Sequence, residues 1–127
     1  MSLLSFGKSE KLKSRKAISR LFREGKSFSV YPLRVIFFMD DTAPHAAMPK
    51  FTCSVSKRYF KSAVSRNLLK RRMREAYRLH KSNLHRVERK GQLEMMVIFT
   101  GKNLVNYLVI EKAMQKAIGK LKQRSRV

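Results

Sequence analysis

The sequence predicts an α/β (α+β) fold, in which helices pack on a three- or four-stranded sheet. Apolar and small polar residues alternate strictly over residues 51–56, as in a half-buried strand. Residues 95–99 form a short continuous apolar run, which is typical of a central or parallel strand. Residues 64–80 and 107–121 repeat apolar side chains with the helical period. Together with a short first helix and a first strand, these segments give the order α-β-β-α-β-α.

The length of 127 residues is that of one domain. We therefore treat residues 1–127 as a single domain, with a basic N-terminal arm over residues 1–13 and a basic C-terminal tail over residues 120–127. A hydrophobic fraction of 43%, with eight Phe and four Tyr, is enough for a core and argues against disorder. No stretch approaches the roughly 20 apolar residues of a membrane helix, and the N-terminus lacks a signal-peptide core. We expect a cytoplasmic protein with no membrane partner.

Positive charge dominates the composition. The chain has 30 Lys and Arg against 8 Asp and Glu, for a formal net charge of +22. An excess of this size predicts a polyanionic partner. Inside a cell that partner is RNA or DNA.

The first helix is predicted over residues 15–24, with Ser14 as its N-cap and Gly25 as the residue that ends it. Its apolar residues fall on one face; they are Ala17, Ile18, Leu21 and Phe22. Residues 30–39 predict the first strand, which is apolar on both faces. Pro32 places the start of that strand at an edge or a bulge.

The second strand, over residues 51–56, has two chemically different faces. One face carries Phe51, Cys53 and Val55, and the other carries Thr52, Ser54 and Ser56. The hydroxyl-bearing face fits either the floor of a groove that admits a nucleic-acid backbone closely or a plain solvent face. Cys53, the only cysteine, is more consistent with a small core side chain than with a nucleophile.

Residues 57–61, Lys-Arg-Tyr-Phe-Lys, connect this strand to the long helix. Basic residues interleaved with aromatic ones can pair with phosphates and stack on bases. Alternatively, Tyr59 and Phe60 cap the hydrophobic core.

The long helix is predicted over residues 62–80, with Ser62 or Ser65 as its N-cap. Its apolar arc contains Val64, Leu69, Met73, Ala76, Tyr77 and His80. The neighbouring arc contains Asn67, Lys70, Arg71, Arg74, Arg78 and Lys81. Like charges at i,i+4 destabilise an isolated helix, whereas an ordinary solvated helix mixes the two signs. We therefore expect nucleic-acid phosphates to compensate this cationic arc.

The third strand is predicted over residues 94–100 and the last helix from Asn103 or Asn106 onward. The apolar face of that helix comprises Tyr107, Ile110, Ala113, Met114, Ala117, Ile118 and Leu121. Because the second and third strands flank the long helix, they are compatible with parallel pairing in a βαβ unit.

No catalytic constellation is apparent in the sequence. His45, His80 and His85 have no metal-ligand spacing, and the phosphate-binding glycine motifs are missing. A nuclease acting alone needs carboxylates around a metal ion, and the eight acids are scattered. We therefore expect neither catalytic residues nor a protein-bound metal.

Residues 66–75, together with Lys57 and Arg58, resemble the bacterial ribonuclease P protein subunit. The signature of that family is an Arg-Asn-Arg run followed by Lys-Arg and a further Arg, on a long helix after a strand that ends in Lys-Lys or Lys-Arg. The matching positions are Arg66, Asn67, Lys70, Arg71 and Arg74. Three positions depart from the family pattern. Leu68 replaces the usual third Arg, Arg72 stands where an apolar residue is common, and Ile18 stands where an aromatic residue is often found.

The resemblance implies an RNA-binding subunit of an endoribonuclease that removes the 5′ leader of precursor tRNA. The catalyst is then the RNA subunit, which also binds magnesium, and no obligate protein partner is implied. The resemblance further implies a βαβ crossover of the rare left-handed sense. The alternatives are a structural RNA-binding protein, such as a ribosomal protein, and an RNA-cleaving enzyme that acts without RNA.

Two RNA surfaces are implied by the resemblance. The ribonuclease P RNA meets Arg66, Asn67, Lys70, Arg71, Arg74 and Arg78. The precursor tRNA leader lies in a cleft between the first helix and the sheet, with Phe22, Phe37, Ser54, Ser56, Lys57 and Arg58 as candidate contacts.

Overall fold

The structure, a computed structural model, describes residues 10–42, 48–85 and 91–124. These residues form a single α+β domain with four helices and four strands. The helices are α1 Arg15–Glu24, α2 Ala63–His80, α3 Ser82–His85 and α4 Tyr107–Arg124. The strands are β1 Lys26–Val30, β2 Leu33–Asp40, β3 Lys50–Val55 and β4 Gln92–Phe99. None of these helices is long and apolar enough to cross a membrane.

The four strands form one mixed sheet in the order β1-β2-β4-β3. β1 pairs with β2, and β2 with β4, in antiparallel register, whereas β3 and β4 are parallel. Parallel neighbours need a crossover between them, and α2 lies within this crossover. The parallel pairing of the strands on either side of the long helix is confirmed, and the left-handed sense of the crossover stays a prediction.

The first part of the sheet differs from the prediction. The prediction of a single strand over residues 30–39 is wrong, because β1 and β2 form a hairpin that turns at Tyr31-Pro32. β1 is only five residues long and buries Phe28 alone, between the exposed Ser27 and Ser29, so its alternation is too short to mark a strand in the sequence.

Helices cover both faces of the sheet. α2 and α4 pack on one face, against the side chains of Phe28, Leu33, Val35, Phe51, Met95 and Val97 among others. α1 packs on the other face, where Leu12 and Leu21 contact Ile36 and Met96. The core therefore has two parts, separated by the sheet.

α2 buries the face that its periodicity predicts. Leu69, Met73, Ala76 and Tyr77 have no exposed surface. The prediction fails at Val64, which is 78% exposed in the first turn of the helix. Ser62 is confirmed as the N-cap, because its hydroxyl accepts a hydrogen bond from the Ser65 N–H at 3.5 Å.

The prediction of an N-terminal arm is wrong for residues 10–12, which pack against the domain. Residues 1–9 lie outside the described residues. Leu12 N–H donates to the Phe51 carbonyl at 3.0 Å, along the outer edge of β3. Lys81, predicted on the cationic arc, is instead buried and donates to Glu10 Oε1 at 2.7 Å. A buried charge is tolerated when it is paired in this way.

The predicted C-terminal tail is wrong for residues 120–124, and residues 125–127 lie outside the described residues. α4 continues to Arg124, and Leu121 is 1% exposed. The apolar face of α4 therefore continues into residues 120–124, which were predicted to be a tail because they are basic.

Gly25 ends α1 as predicted, but not through the left-handed backbone conformation that glycine commonly adopts at the end of a helix. Its φ of −72° is accessible to any residue. A Cβ at this position would lie 2.3 Å from the Leu21 carbonyl oxygen and 3.0 Å from the Phe37 carbonyl oxygen. Close approach of backbone, and not a left-handed conformation, requires glycine here.

We predict that Tyr77→Ala destabilises the protein by about 3–5 kcal/mol, because it removes a large buried side chain. The ring of Tyr77 stacks on that of Phe51, with centroids 4.1 Å apart and planes 6° apart. Urea unfolding followed by circular dichroism measures the change, and Tyr77→Phe, which keeps the stacked ring, serves as the control. A cost for Tyr77→Ala as small as that for Tyr77→Phe would contradict this packing role.

Candidate nucleic-acid interface

The cationic arc of α2 faces away from the core. Asn67, Arg71 and Arg74 are exposed, and Lys70 is half-buried. Because Leu69, Met73, Ala76 and Tyr77 on the opposite arc are fully buried, α2 holds these side chains on a rigid support.

Arg66 and Arg78, both predicted to meet the ribonuclease P RNA, also bond within the protein. Arg66 Nη1 donates to the carbonyls of Phe60 and Lys61, both at 2.8 Å, and so holds the linker that precedes α2. Arg78 Nε donates to Glu75 Oε2 at 3.1 Å. This hydrogen bond lowers the pKa of Glu75.

Arg72, which departs from the family pattern, serves the fold. Its side chain is half-buried, and Nη1 donates to the carbonyl of Val105, just before α4. An arginine at this position therefore connects α2 to the segment that leads into α4.

A hollow of about 500 Å³ follows the outer edge of β3, between that strand and α2. The basic side chains around it are Lys11, Lys13, Lys70 and Arg74. Thr52 and Cys53 line it from the strand. The Cys53 Sγ lies 3.8 Å from the Lys70 carbonyl, and burial raises the pKa of the thiol. Cys53 thus has the character of a core side chain, as predicted.

The sheet face on the α1 side carries three polar residues and one apolar residue in a row across the strands. By register, Ser54 lies beside Ile98, Ile98 beside Arg34, and Arg34 beside Ser29. Ser54 and Ile98 are half-buried, whereas Arg34 and Ser29 are exposed. Neither Arg34 nor Ser29 was predicted as a site residue, although a lone arginine in an apolar strand was a signal for Arg34.

The assignment of Phe37 to the cleft is wrong. Phe37 is 5% exposed and packs on the opposite face of the sheet, where its ring centroid lies 5.9 Å from that of Phe28. Its neighbours Ile36 and Phe38 face α1 instead. Phe22 is 57% exposed on α1, four residues beyond Ile18, so it is available to a ligand at the side of this face.

In the linker after β3, one aromatic side chain enters the core and the other stays exposed. Phe60 enters the core, with its ring edge-on to Phe99 at 5.7 Å. Tyr59 is 43% exposed, with Arg58 and Lys102 each 5.6 Å from its ring centroid. Ser56 and the exposed Lys57 precede this group, and the Ser56 hydroxyl accepts from the Arg58 N–H at 3.0 Å. Lys102, like Arg34, is a basic residue at this surface that was not predicted from the sequence.

Arg20 fixes α1 on the sheet. Its Nη2 lies 2.8 Å from Glu94 Oε1 and 3.4 Å from Asp40 Oδ2, and its guanidinium lies 4.7 Å from the Phe38 ring centroid. The hydrogen bond to Glu94 raises the pKa of Arg20. A hydrogen bond from the Thr42 hydroxyl, with smaller effects of the Thr42 N–H and of Arg20, lowers the pKa of Asp40.

Comparison with known proteins identifies the family. The sequence model of the Ribonuclease P family matches residues 6–122. The ribonuclease P protein component of Porphyromonas gingivalis is 41% identical over 113 residues, which cover 87% of this chain and 82% of that protein. The corresponding protein of Dictyoglomus turgidum is 37% identical over 107 residues, which cover 84% of this chain and 82% of that protein.

Solved structures of RNase P proteins share the fold. The RNase P protein of Staphylococcus aureus superposes with a TM-score of 0.71 at 22% identity, over 94% of this chain and all of that one. The RNase P protein of Thermotoga maritima superposes with a TM-score of 0.69 at 23% identity, over 87% of this chain and 96% of that one.

The chain belongs to the ribonuclease P protein family. This confirms the predicted resemblance, the fold class and the role as RNA-binding protein component of ribonuclease P, the endoribonuclease of tRNA 5′ maturation. Family membership implies partnership with the ribonuclease P RNA.

We predict that Asp40 contributes stability at neutral pH that is lost in acid. Its pKa is lower in the folded protein than in the unfolded chain. The contribution is therefore complete above the unfolded value of about 3.9 and disappears as the pH falls through the folded value. Urea unfolding between pH 7 and pH 3 should show Asp40→Asn to be less stable than wild type at pH 7, with a smaller loss toward pH 3. Parallel curves for the two proteins would contradict this role.

Proposed function

We propose that this protein binds the catalytic RNA of ribonuclease P through the α2 face, which comprises Arg66, Asn67, Lys70, Arg71, Arg74 and Arg78. We further propose that the 5′ leader of precursor tRNA lies on the α1-side face of the sheet. The protein supplies binding and positioning, and the RNA supplies catalysis.

The observation that carries the α2 assignment is the arrangement of its cations. Arg71 and Arg74 are exposed on a helix that is anchored to the core by four fully buried residues on its other face: Leu69, Met73, Ala76 and Tyr77. Lys70 and Arg74 also line the basic hollow beside β3. Phosphates placed along this face relieve the repulsion between like charges on successive turns and release counterions.

The leader assignment is supported by aromatic, hydroxyl and basic groups on this face and in the linker that follows β3. Phe22 offers a ring, Ser54 and Ser56 offer hydroxyls at and beyond the end of β3, and Lys57 and Arg58 offer positive charge. Aromatic rings stack on unpaired bases regardless of their identity, and basic side chains follow the backbone. A single strand of varied sequence is the ligand that suits such a mixture.

Magnesium belongs to the RNA in this proposal. Within the described residues, no three His, Cys, Asp or Glu side chains are grouped closely enough to share a metal ion. Basic side chains beside the RNA lower the repulsion between its phosphates, so that the complex assembles with less magnesium. We place this activity in the cytoplasm.

Reconstitution tests the proposed function. The protein is mixed with ribonuclease P RNA and precursor tRNA at low magnesium, and release of the 5′ leader is measured. We expect the protein to stimulate cleavage by the RNA. Binding without stimulation would favour a structural RNA-binding protein, and cleavage by the protein after the RNA has been destroyed would favour a protein enzyme.

Neighbouring arginines on α2 provide a matched pair of variants. Arg71→Ala should weaken binding to the catalytic RNA and reduce the slope of log K against log salt by about 1, with no change in stability, because Arg71 is exposed. Arg72→Ala should instead lower stability by about 1–2 kcal/mol, because it removes the hydrogen bond to Val105. Fluorescence titration and urea unfolding measure the two effects. Equal losses of affinity in both variants would contradict the assignment of the α2 face.

A further inference from the structure

α4 carries a second row of positive charge, which the α2 face does not include. Lys112, Lys116, Lys120 and Arg124 follow one another at i,i+4 spacing, and all four are exposed. We call them the α4 cation row. Like charges at this spacing destabilise a helix in isolation.

The α4 cation row points away from α2 and toward the opposite edge of the sheet. Glu111 and Gln115, on the other side of α4, lie 3.1 and 3.3 Å from His80 Nε2 of α2. Lys120 and Arg124 instead lie 5.5 and 4.9 Å from the ring centroid of Phe28 in β1. β1 and β3 are the two edges of the sheet, about 14 Å apart at the usual strand spacing.

The charge of this row is not neutralised within the described part of the chain. Lys112 and Lys116 have no ion pair with any carboxylate in residues 10–42, 48–85 or 91–124. Lys120 and Arg124 contact an aromatic ring, which leaves their charge in place. A polyanion outside the chain is the partner that complements the row.

Gly119 gives an independent indication of a close contact. It lies in the interior of α4, where glycine is less favourable than alanine. A Cβ at this position would meet no atom within 4 Å, so packing inside the protein does not require glycine. Beside it lies an open hollow of about 500 Å³, lined by Ser29, Val30, Lys116, Gly119, Lys120 and Gln123. A backbone that approaches the helix closely from outside is a physical reason for the missing side chain.

We propose that the α4 cation row and the hollow at Gly119 bind the sugar–phosphate backbone of a second segment of the catalytic RNA. This inference rests on the proposed function. The catalytic RNA is the occupant because, in the proposed function, the α2 face already holds this RNA, so a second segment of the same molecule meets the α4 cation row at a high effective concentration. The protein then joins two segments of the RNA from opposite edges of its sheet.

Charge removal on α4 tests the row with a matched control. Lys116→Ala should weaken binding to the catalytic RNA and reduce the slope of log K against log salt by about 1. Lys122→Ala removes the same charge from the same helix, outside the row, and should change the affinity less than about twofold. Equal losses in the two variants would show a general effect of net charge and overturn the proposal.

Gly119→Gln separates binding from stability. A glutamine at this open position should raise the melting temperature, because it favours the helix more than glycine does. It should weaken binding to the catalytic RNA by about tenfold, because the side chain keeps the RNA backbone away from α4. Wild-type affinity in this variant would overturn the proposal, and so would a loss confined to binding of precursor tRNA.

The single cysteine allows the RNA contact to be mapped. In a Cys53→Ala background, Gln123→Cys or Asn67→Cys carries an iron chelate that cuts nearby RNA. We expect cuts in the catalytic RNA from both positions, at different nucleotides. Cuts from Asn67→Cys alone would overturn the α4 inference and leave the proposed function intact. Failure of the wild-type protein to bind the catalytic RNA would overturn both.

Discussion

Parallel pairing of β3 with β4 is the constraint on which the rest of the structure depends. Two adjacent parallel strands cannot be joined by a tight turn, so the chain must leave the sheet and return over one of its faces. α2 is part of that return and packs on the sheet through Leu69, Met73 and Tyr77. The stacked rings of Phe51 and Tyr77 hold strand and helix together. Because this face is buried, Asn67, Arg71 and Arg74 of the cationic arc are exposed to solvent.

The structure uses its excess of arginine in two ways. Arg20, Arg66 and Arg72 bond to carboxylates or backbone carbonyls and hold α1, the linker before α2, and the segment before α4. Arg71 and Arg74 remain exposed. A planar guanidinium with five donors suits both tasks, since carbonyls, carboxylates and phosphates all accept its hydrogen bonds. Net charge therefore overstates the number of residues that are free to bind RNA.

The α2 face was largely predictable from the sequence, whereas the sheet face was not. A helical period marks the buried and cationic arcs of residues 64–80, and both were found except at Val64 and Lys81. Successive side chains of a strand point to opposite faces of the sheet, so Phe37 lies on one face and its neighbours Ile36 and Phe38 lie on the other. β2 is apolar on both faces, and its sequence did not show that Phe37 joins the α2 side while Ile36 and Phe38 face α1.

The sequence by itself determined the local elements and the chemistry of their surfaces, because periodicity, capping residues and charge are properties of neighbours along the chain. Only the tertiary structure decided which charges remain available. Lys81 became buried against Glu10, 71 residues away, and Arg72 became bound to Val105, 33 residues away. The β1–β2 hairpin likewise depends on the packing of Phe28 into the core, which was not predicted from the sequence. Contacts between distant residues decide these outcomes, and a single sequence does not reveal which distant residues will meet.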